Sequence, residues 1–164
     1  MTDDSEFGSA RDAAYDPRIL VFGRLLGAAN RLEYILGREL ENEFGLSHSI
    51  YELLLVVGRA GDDGIALRDV AQSRVLTSGG ATRLAQRAVQ QGLIHRHTSA
   101  ADARVQIIQL TPQGEQLLLQ ASAFHARNIE RYLIEVLPAE QAAVFAQAIK
   151  VLSKSAAEAL PTMP

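Results

Sequence analysis

Apolar residues recur at helical spacing through Ile19, Phe22, Leu26, Ala29, Leu32, Leu36, Leu40 and Phe44, which predicts one long amphipathic helix over 17–45. Asp16 followed by Pro17 supplies a cap and a first-turn proline, and Gly45 closes the helix. Such a helix is about 40 Å long at 1.5 Å per residue, more than a small core could cover. Part of its stripe therefore needs another partner. Ser47 is placed to cap a second helix carrying Ile50, Leu53, Leu54 and Val57, which the Gly61-Asp62-Asp63-Gly64 loop breaks. A short edge strand over Ile65 to Leu67 follows, then a helix with Val70 and Ala71, then a turn through Arg74 and Val75. Thr77 or Ser78 caps the next helix. Its inner face is Ala81, Leu84, Ala85 and Ala88, its outer face Thr82, Arg83, Gln86, Arg87 and Gln90, and Gly92 ends it.

From Leu93 the period changes from 3.6 to 2, predicting strands at Leu93 to Thr98 and Arg104 to Leu110 around a loop through Ser99-Ala100-Ala101-Asp102. Thr111-Pro112 repeats the cap-plus-proline start, with Glu115 in the first turn. The helix so opened carries Leu117, Leu118, Ala121, Phe124, Ile129, Leu133 and Val136 until Pro138 interrupts it. A final helix places Ala142, Phe145, Ile149, Leu152 and Ala156 on one face. Two short helices joined by a turn and followed by a hairpin form a winged helix-turn-helix over 46–110. The fold class is thus mainly α with a small β wing, bracketed by dimerisation helices at 17–45 and 111–164. The flanking apolar faces exceed what one copy of the module can cover, so a two-fold homodimer through the chain ends is expected.

Charge changes the picture further. The chain's formal charge is -3, yet the segment 65–111 holds Arg68, Arg74, Arg83, Arg87, Arg96 and Arg104 against only Asp69 and Asp102. A basic module on an acidic body points to nucleic acid, which the net charge alone would have argued against. The first 16 residues carry five acids beside Arg11 and hardly any large apolar group, and read as a mostly disordered tail, with a docking helix around Ala10 to Tyr15 as the alternative. The absence of cysteine excludes disulfides, thiolate nucleophiles and cysteine-ligated zinc. With neither a spanning apolar run nor a secretory signal, no membrane role is expected and the cytoplasm is the default location.

A helix entering the major groove turns its N-terminal residues to the base edges, which singles out Thr77, Ser78, Thr82, Arg83, Gln86 and Arg87. Arg83 is the first choice for base contact, because a guanidinium can donate two hydrogen bonds to guanine. Arg87 has two readings, a DNA contact or an inward ion pair. Gly79 and Gly80 likewise leave two: close approach of backbone N–H groups to a phosphate, or tight packing against a neighbouring helix. Arg68, Arg74 and Arg96 add positive charge around this face. In the hairpin loop Asp102 and Arg104 leave one face if the backbone is extended, so the acid can orient an arginine suited to the narrow minor groove.

These residues resemble the MarR family of bacterial transcriptional regulators over nearly the whole chain. The likeness is strongest in LRDVA (Leu67 to Ala71), SGGATRLAQR (Ser78 to Arg87), GLIHR (Gly92 to Arg96) and DARVQIIQLTPQGEQL (Asp102 to Leu117). It implies that Arg104 enters the minor groove, that Ser78, Thr82 and Arg83 lie in the major groove, and that the protein is a homodimer on a palindromic operator. It implies further a small aromatic or phenolic anion as effector, with no other cofactor, in a pocket drawn from Leu25, Ala29, His48, Tyr51 and Arg59. The Ser-Gly-Gly start and N-terminal extension are similar to the urate-responsive branch. That branch reads its ligand partly through a tryptophan, and this chain has none, so its pocket is not carried over.

Other chemistry finds less support. His95 and His97 alternate on a strand and offer at most half a metal site, with phosphate contact or plain exposure as the competing readings. His48 and His125 lie far apart in sequence, and no pattern ties them together. No nucleophile with a base, paired carboxylates or phosphate loop stands at a meaningful spacing, so an enzyme is not expected. The expectation is a ligand-responsive repressor of its own or a neighbouring gene; the alternative is an architectural or protein-contact module without a small-molecule switch.

Overall fold

The computed structural model describes residues 7–73 and 77–160, which divide into two compact units at Ile35/Leu36. In the first, Ser9 caps a short helix α1 (Ala10–Ala14): its hydroxyl accepts from the Asp12 amide at 3.1 Å and donates to the Asp12 carboxylate at 2.7 Å. Where a disordered tail was expected over 1–16, a helix stands at Ala10–Ala14, and no residue of it is buried. The cause is local, because the reciprocal Ser9–Asp12 bonds satisfy first-turn groups without any buried apolar contact. Met1 to Glu6 lie outside the described residues.

Helix α2 (Pro17–Phe44) starts where the sequence places it, with Asp16 accepting from the Arg18 amide at 2.9 Å and from Arg18 Nε at 3.0 Å. The Arg18 side chain is the main reason that the Asp16 carboxyl lies below its usual range. Within the first unit the predicted stripe stays open: Ile19, Phe22 and Leu26 are each at least half exposed.

The second unit holds the core. The last turns of α2 bury Leu36 and Leu40, and Gly45 then adopts φ +63° and ends the helix. Helix α3 (His48–Ala60) follows, but the Ser47 hydroxyl makes no cap bond to it and lies 3.4 Å from the Ser49 hydroxyl instead. Leu46, 1 % exposed, anchors that entry by burial. Ile50, Leu53, Leu54 and Val57 of α3 form the centre of a cluster that includes Val70 of α4 (Leu67–Ser73). Leu84, Ala85 and Ala88 of α5 (Ser78–Gln90) close it from another side.

The sheet has three strands, β1 (Ile65–Ala66), β2 (Ile94–Thr98) and β3 (Gln106–Leu110), all antiparallel in the order β1-β3-β2. Ile65 pairs Ile108, Arg96 also pairs Ile108, and Thr98 pairs Gln106. The short strand before α4 is therefore the wing's third strand. The strand expected from Arg104 starts at Gln106, because Ala103 and Arg104 belong to a turn. Gly64 connects the three-residue 3-10 turn at Gly61–Asp63 to β1 with φ +69°, where a side chain would collide with the Ile108 carbonyl.

Thr111 caps helix α6 (Pro112–Ile129), accepting from the Gly114 amide at 3.0 Å and donating to the Gly92 carbonyl at 2.6 Å. A Cβ at Gly114 would run into the Leu93 carbonyl, so the start of β2 and the first turn of α6 touch through backbone. Ala121 is fully buried against α3, and Leu117, Leu118 and Phe124 pack around it. Beyond Ile129 the helix loosens into a single π turn (Glu130–Ile134), in which the Glu135 amide reaches back to the Glu130 carbonyl at 2.9 Å. Val136, placed on the apolar stripe by the sequence, is 66 % exposed. After Pro138 comes α7 (Ala139–Ala159), which buries no residue. Among the described residues no helix is long and apolar enough to cross a membrane.

Candidate nucleic-acid interface

Helix α5 begins as the sequence predicts. Thr77 is its N-cap and accepts from the Gly80 amide at 3.1 Å. Ser78 is the first helical residue, and Arg74 lies outside the described residues. Ala81, Leu84, Ala85 and Ala88 are all buried, which turns Arg83, Gln86 and Arg87 outward. Arg87 thus follows the outward of its two readings. Gly79 is exposed, and a Cβ there would meet nothing within 4 Å, so tight helix packing does not account for it. Thr82 is half-buried beside the wing.

At the wing tip the pairing of Asp102 and Arg104 is real, but it comes from a turn, where the sequence reading invoked an extended strand. The Arg104 amide donates to Asp102 Oδ1 at 2.9 Å, and its Nε donates to the same oxygen at 3.2 Å. The Val105 amide closes the turn on the Asp102 carbonyl at 2.9 Å. A short acidic side chain bonding to the amide two residues on explains why the loop bends here. The Arg104 amide, then its guanidinium, and more remotely Arg68 hold the Asp102 carboxyl below its usual range. Asp102 is therefore a fixed anion at neutral pH, and the Arg104 side chain, 91 % exposed, projects from it into solvent.

Between α4, α5 and the wing lies a cavity of about 430 Å³, lined in part by Leu67, Arg68, Thr82, Asp102, Arg104 and Val105. It joins Thr82 of α5 to the wing-tip pair in one concave face. Arg68 stands at its rim with its Nε 3.5 Å from Asp69, an exposed pair that leaves most of the guanidinium in solvent.

Two groups escaped sequence reasoning. Gln106 accepts from Arg96 Nε at 3.0 Å and donates to the Thr98 hydroxyl at 3.1 Å, tying the exposed arginine of β2 to β3. Only the hairpin register, with Thr98 opposite Gln106, shows this. Gln109 Oε1 accepts from His95 Nε2 at 2.7 Å and Gln109 Nε2 donates to the Asp62 carbonyl, so the wing is moored to the turn before β1. The rings of His95 and His97 stack 6.0 Å apart on one face of the strand.

The effector-pocket candidates fall in both units. Leu25 and Ala29 are exposed residues of the first unit. His48 and Tyr51 share the second unit with Arg59, which is exposed and, at 1.5 Å per residue, about 16 Å along α3 from His48. His48 and His125, distant in sequence, meet in the fold: their rings lie 6.0 Å apart, and Tyr51 stands edge-on to His125 at 4.8 Å. Packing of α3 on α6, which no periodicity encodes, makes that cluster.

The model of the MarR family matches residues 44–105. Among solved structures, a MarR family transcriptional regulator from Streptomyces coelicolor, in complex with DNA, is 21 % identical with a TM-score of 0.76, covering 93 % of this chain and 92 % of that one. A mutant MarR from E. coli complexed with operator DNA is 20 % identical with a TM-score of 0.72, covering 82 % and 95 % of the two chains. A MarR transcriptional regulator from Methanosarcina mazei is 16 % identical with a TM-score of 0.76, covering 86 % and 99 %. No curated protein sequence matches. The structural likenesses establish the winged-helix fold.

Proposed function

We propose that this chain, whose residues 44–105 carry the MarR family pattern and whose fold is that of MarR family regulators, is a sequence-specific DNA-binding transcriptional regulator. The observation that carries the reading is the concave face shared by α5 and the wing. Arg83, Gln86 and Arg87 point outward along the helix while Asp102 holds Arg104 clear of the loop. An α-helix fits the major groove, and an anchored arginine fits the narrower, more negative minor groove beside it. Two copies related by a two-fold axis would place their α5 helices in successive major grooves, about one helical turn apart. The exposed apolar faces of the terminal helices are the natural contact between those copies. In this reading the protein acts in the cytoplasm, as a repressor of its own or a neighbouring gene. A small aromatic or phenolic anion is the proposed effector, and it must bind the DNA-competent and DNA-incompetent states with different affinity to act.

Fluorescence anisotropy against the protein's own upstream DNA and a scrambled duplex, across a salt series, tests the reading. Preference for the upstream duplex by about a hundredfold or more supports sequence-specific regulation. Equal and steeply salt-dependent binding to both supports the architectural alternative. No binding to either duplex would leave the winged helix as a protein-contact module.

A further inference from the structure

We propose that His125 is a proton-operated latch on the seam between α3 and α6, through which acidification loosens α3 and, with it, the seating of the DNA-reading helix α5. The DNA part of this inference rests on the proposed function. The latch itself rests on packing.

Among the described residues His125 is the buried polar side chain of the core, 6 % exposed. Tyr51 of α3 stands edge-on against its ring, and the Tyr51 hydroxyl donates at 3.2 Å to Ser122, one turn earlier on α6. Next to it Phe44 meets Phe124 edge-to-face at 5.6 Å. His125 Nδ1 is buried and has no hydrogen-bond partner among the described residues. In its neutral form the imidazole is thus an aromatic filler in a seam of aromatic rings, and the unpaired nitrogen is tolerable. As a cation it would carry a buried, unanswered N–H and a desolvated charge.

The groups that face it set the direction. Burial holds the imidazole below the ordinary 6.5, positive charge on His48 adds to the depression, and the Glu52 carboxylate opposes it. Tyr51 is the other titratable group in contact, while Ser122 and Asn128 on α6 are uncharged. Glu52 lies 3.7 Å from His48 Nε2, so a protonated His125 must compete with His48 for that acid. Since folding depresses the pKa, the unfolded chain takes up the proton first. The stability that neutral His125 supports is complete above about pH 6.5, declines as pH falls, and is fully lost below the depressed folded value. Helix α3 transmits the effect, because its Leu53, Leu54 and Val57 pack in the same cluster as Leu84, Ala85 and Ala88 of α5.

The test uses the full-length protein, with melting temperature and anisotropy on the upstream duplex followed from about pH 8 to about pH 5.5. Wild type is compared with His125→Phe, His125→Asn and the wing control His95→Gln/His97→Gln. The wild type and the wing control are expected to lose melting temperature and DNA affinity below about pH 6.5, and the two His125 variants to lose less of both. Each unit of pKa depression released corresponds to about a tenfold difference in the equilibrium. Wild-type pH dependence in a folded His125 variant overturns the latch. A reduced melting response with no DNA binding at any pH supports the latch while overturning the DNA reading; unchanged pH dependence with specific DNA binding does the reverse. If neither variant folds, NMR titration of the His125 ring in the wild type decides: a midpoint below 6.5 is expected, and one at or above it overturns the proposal.

Discussion

Helices α3 and α7 are both amphipathic, yet α3 buries six of its 13 residues and α7 none of its 21. Ile50, Leu53, Leu54 and Val57 meet α5, the sheet and α6 inside the same chain. Val144, Val151 and Leu152 of α7 remain 50 % exposed or more. An apolar stripe therefore shows that a helix has something to bury without showing that its own chain supplies the partner. The winged region closes on itself; the last helix keeps its apolar face exposed.

That contrast can be broken at several points. Leu54→Ala, at the centre of the closed region, should cost about 3 to 5 kcal/mol in urea unfolding, since a fully buried leucine leaves a cavity that rigid neighbours cannot fill. A cost below about 1 kcal/mol would mean the core is looser than its burial suggests. Gly114→Ala should cost about 2 to 3 kcal/mol in the same measurement, because the new methyl meets the Leu93 carbonyl, and backbone cannot rotate away as a side chain can. Full stability in that variant would show that α6 and β2 can separate freely.

Arg104→Ala should leave folding unchanged and weaken binding to any duplex about tenfold, read as anisotropy at constant salt. Arg83→Ala should weaken binding and also flatten the preference for the upstream duplex. Equal operator binding by both variants and wild type would remove these residues from the interface. Val144→Asp should alter the urea stability of the dilute protein by less than about 0.5 kcal/mol. In sedimentation it should shift any self-association towards monomer, and unchanged association would clear this face of α7 from the contact. The smallest effect is expected from Gly79→Ala, a gain of a few tenths of a kcal/mol from helix propensity in open space, offset in DNA binding if the backbone there approaches a phosphate.

The parts of the molecule legible in the chain are those where signal and structure lie within a few residues of each other. Thr77 and Thr111 cap the helices that follow them, Gly45 takes the positive φ that ends α2, and the change of period after Leu93 marks the wing. Ser9 shows the limit of composition as a guide, since one cap and one carboxylate order a helix in a stretch poor in apolar residues. The closeness of Asp102 and Arg104 was also legible, though a turn produces it, because residues two apart can share a side in either geometry.

What the sequence by itself determined is this local layer: helix starts and stops, the inner and outer faces of α5, the two main wing strands and the placement of positive charge. Only the tertiary structure decided that Gln106 holds Arg96, that Gly114 must lie against Leu93, and that His48, Tyr51 and His125 share one seam. The physical reason is the range of the forces. Backbone geometry repeats every few residues and leaves a periodic trace in the chain, whereas strand register and helix-on-helix packing bring together residues whose separation in sequence carries no period at all.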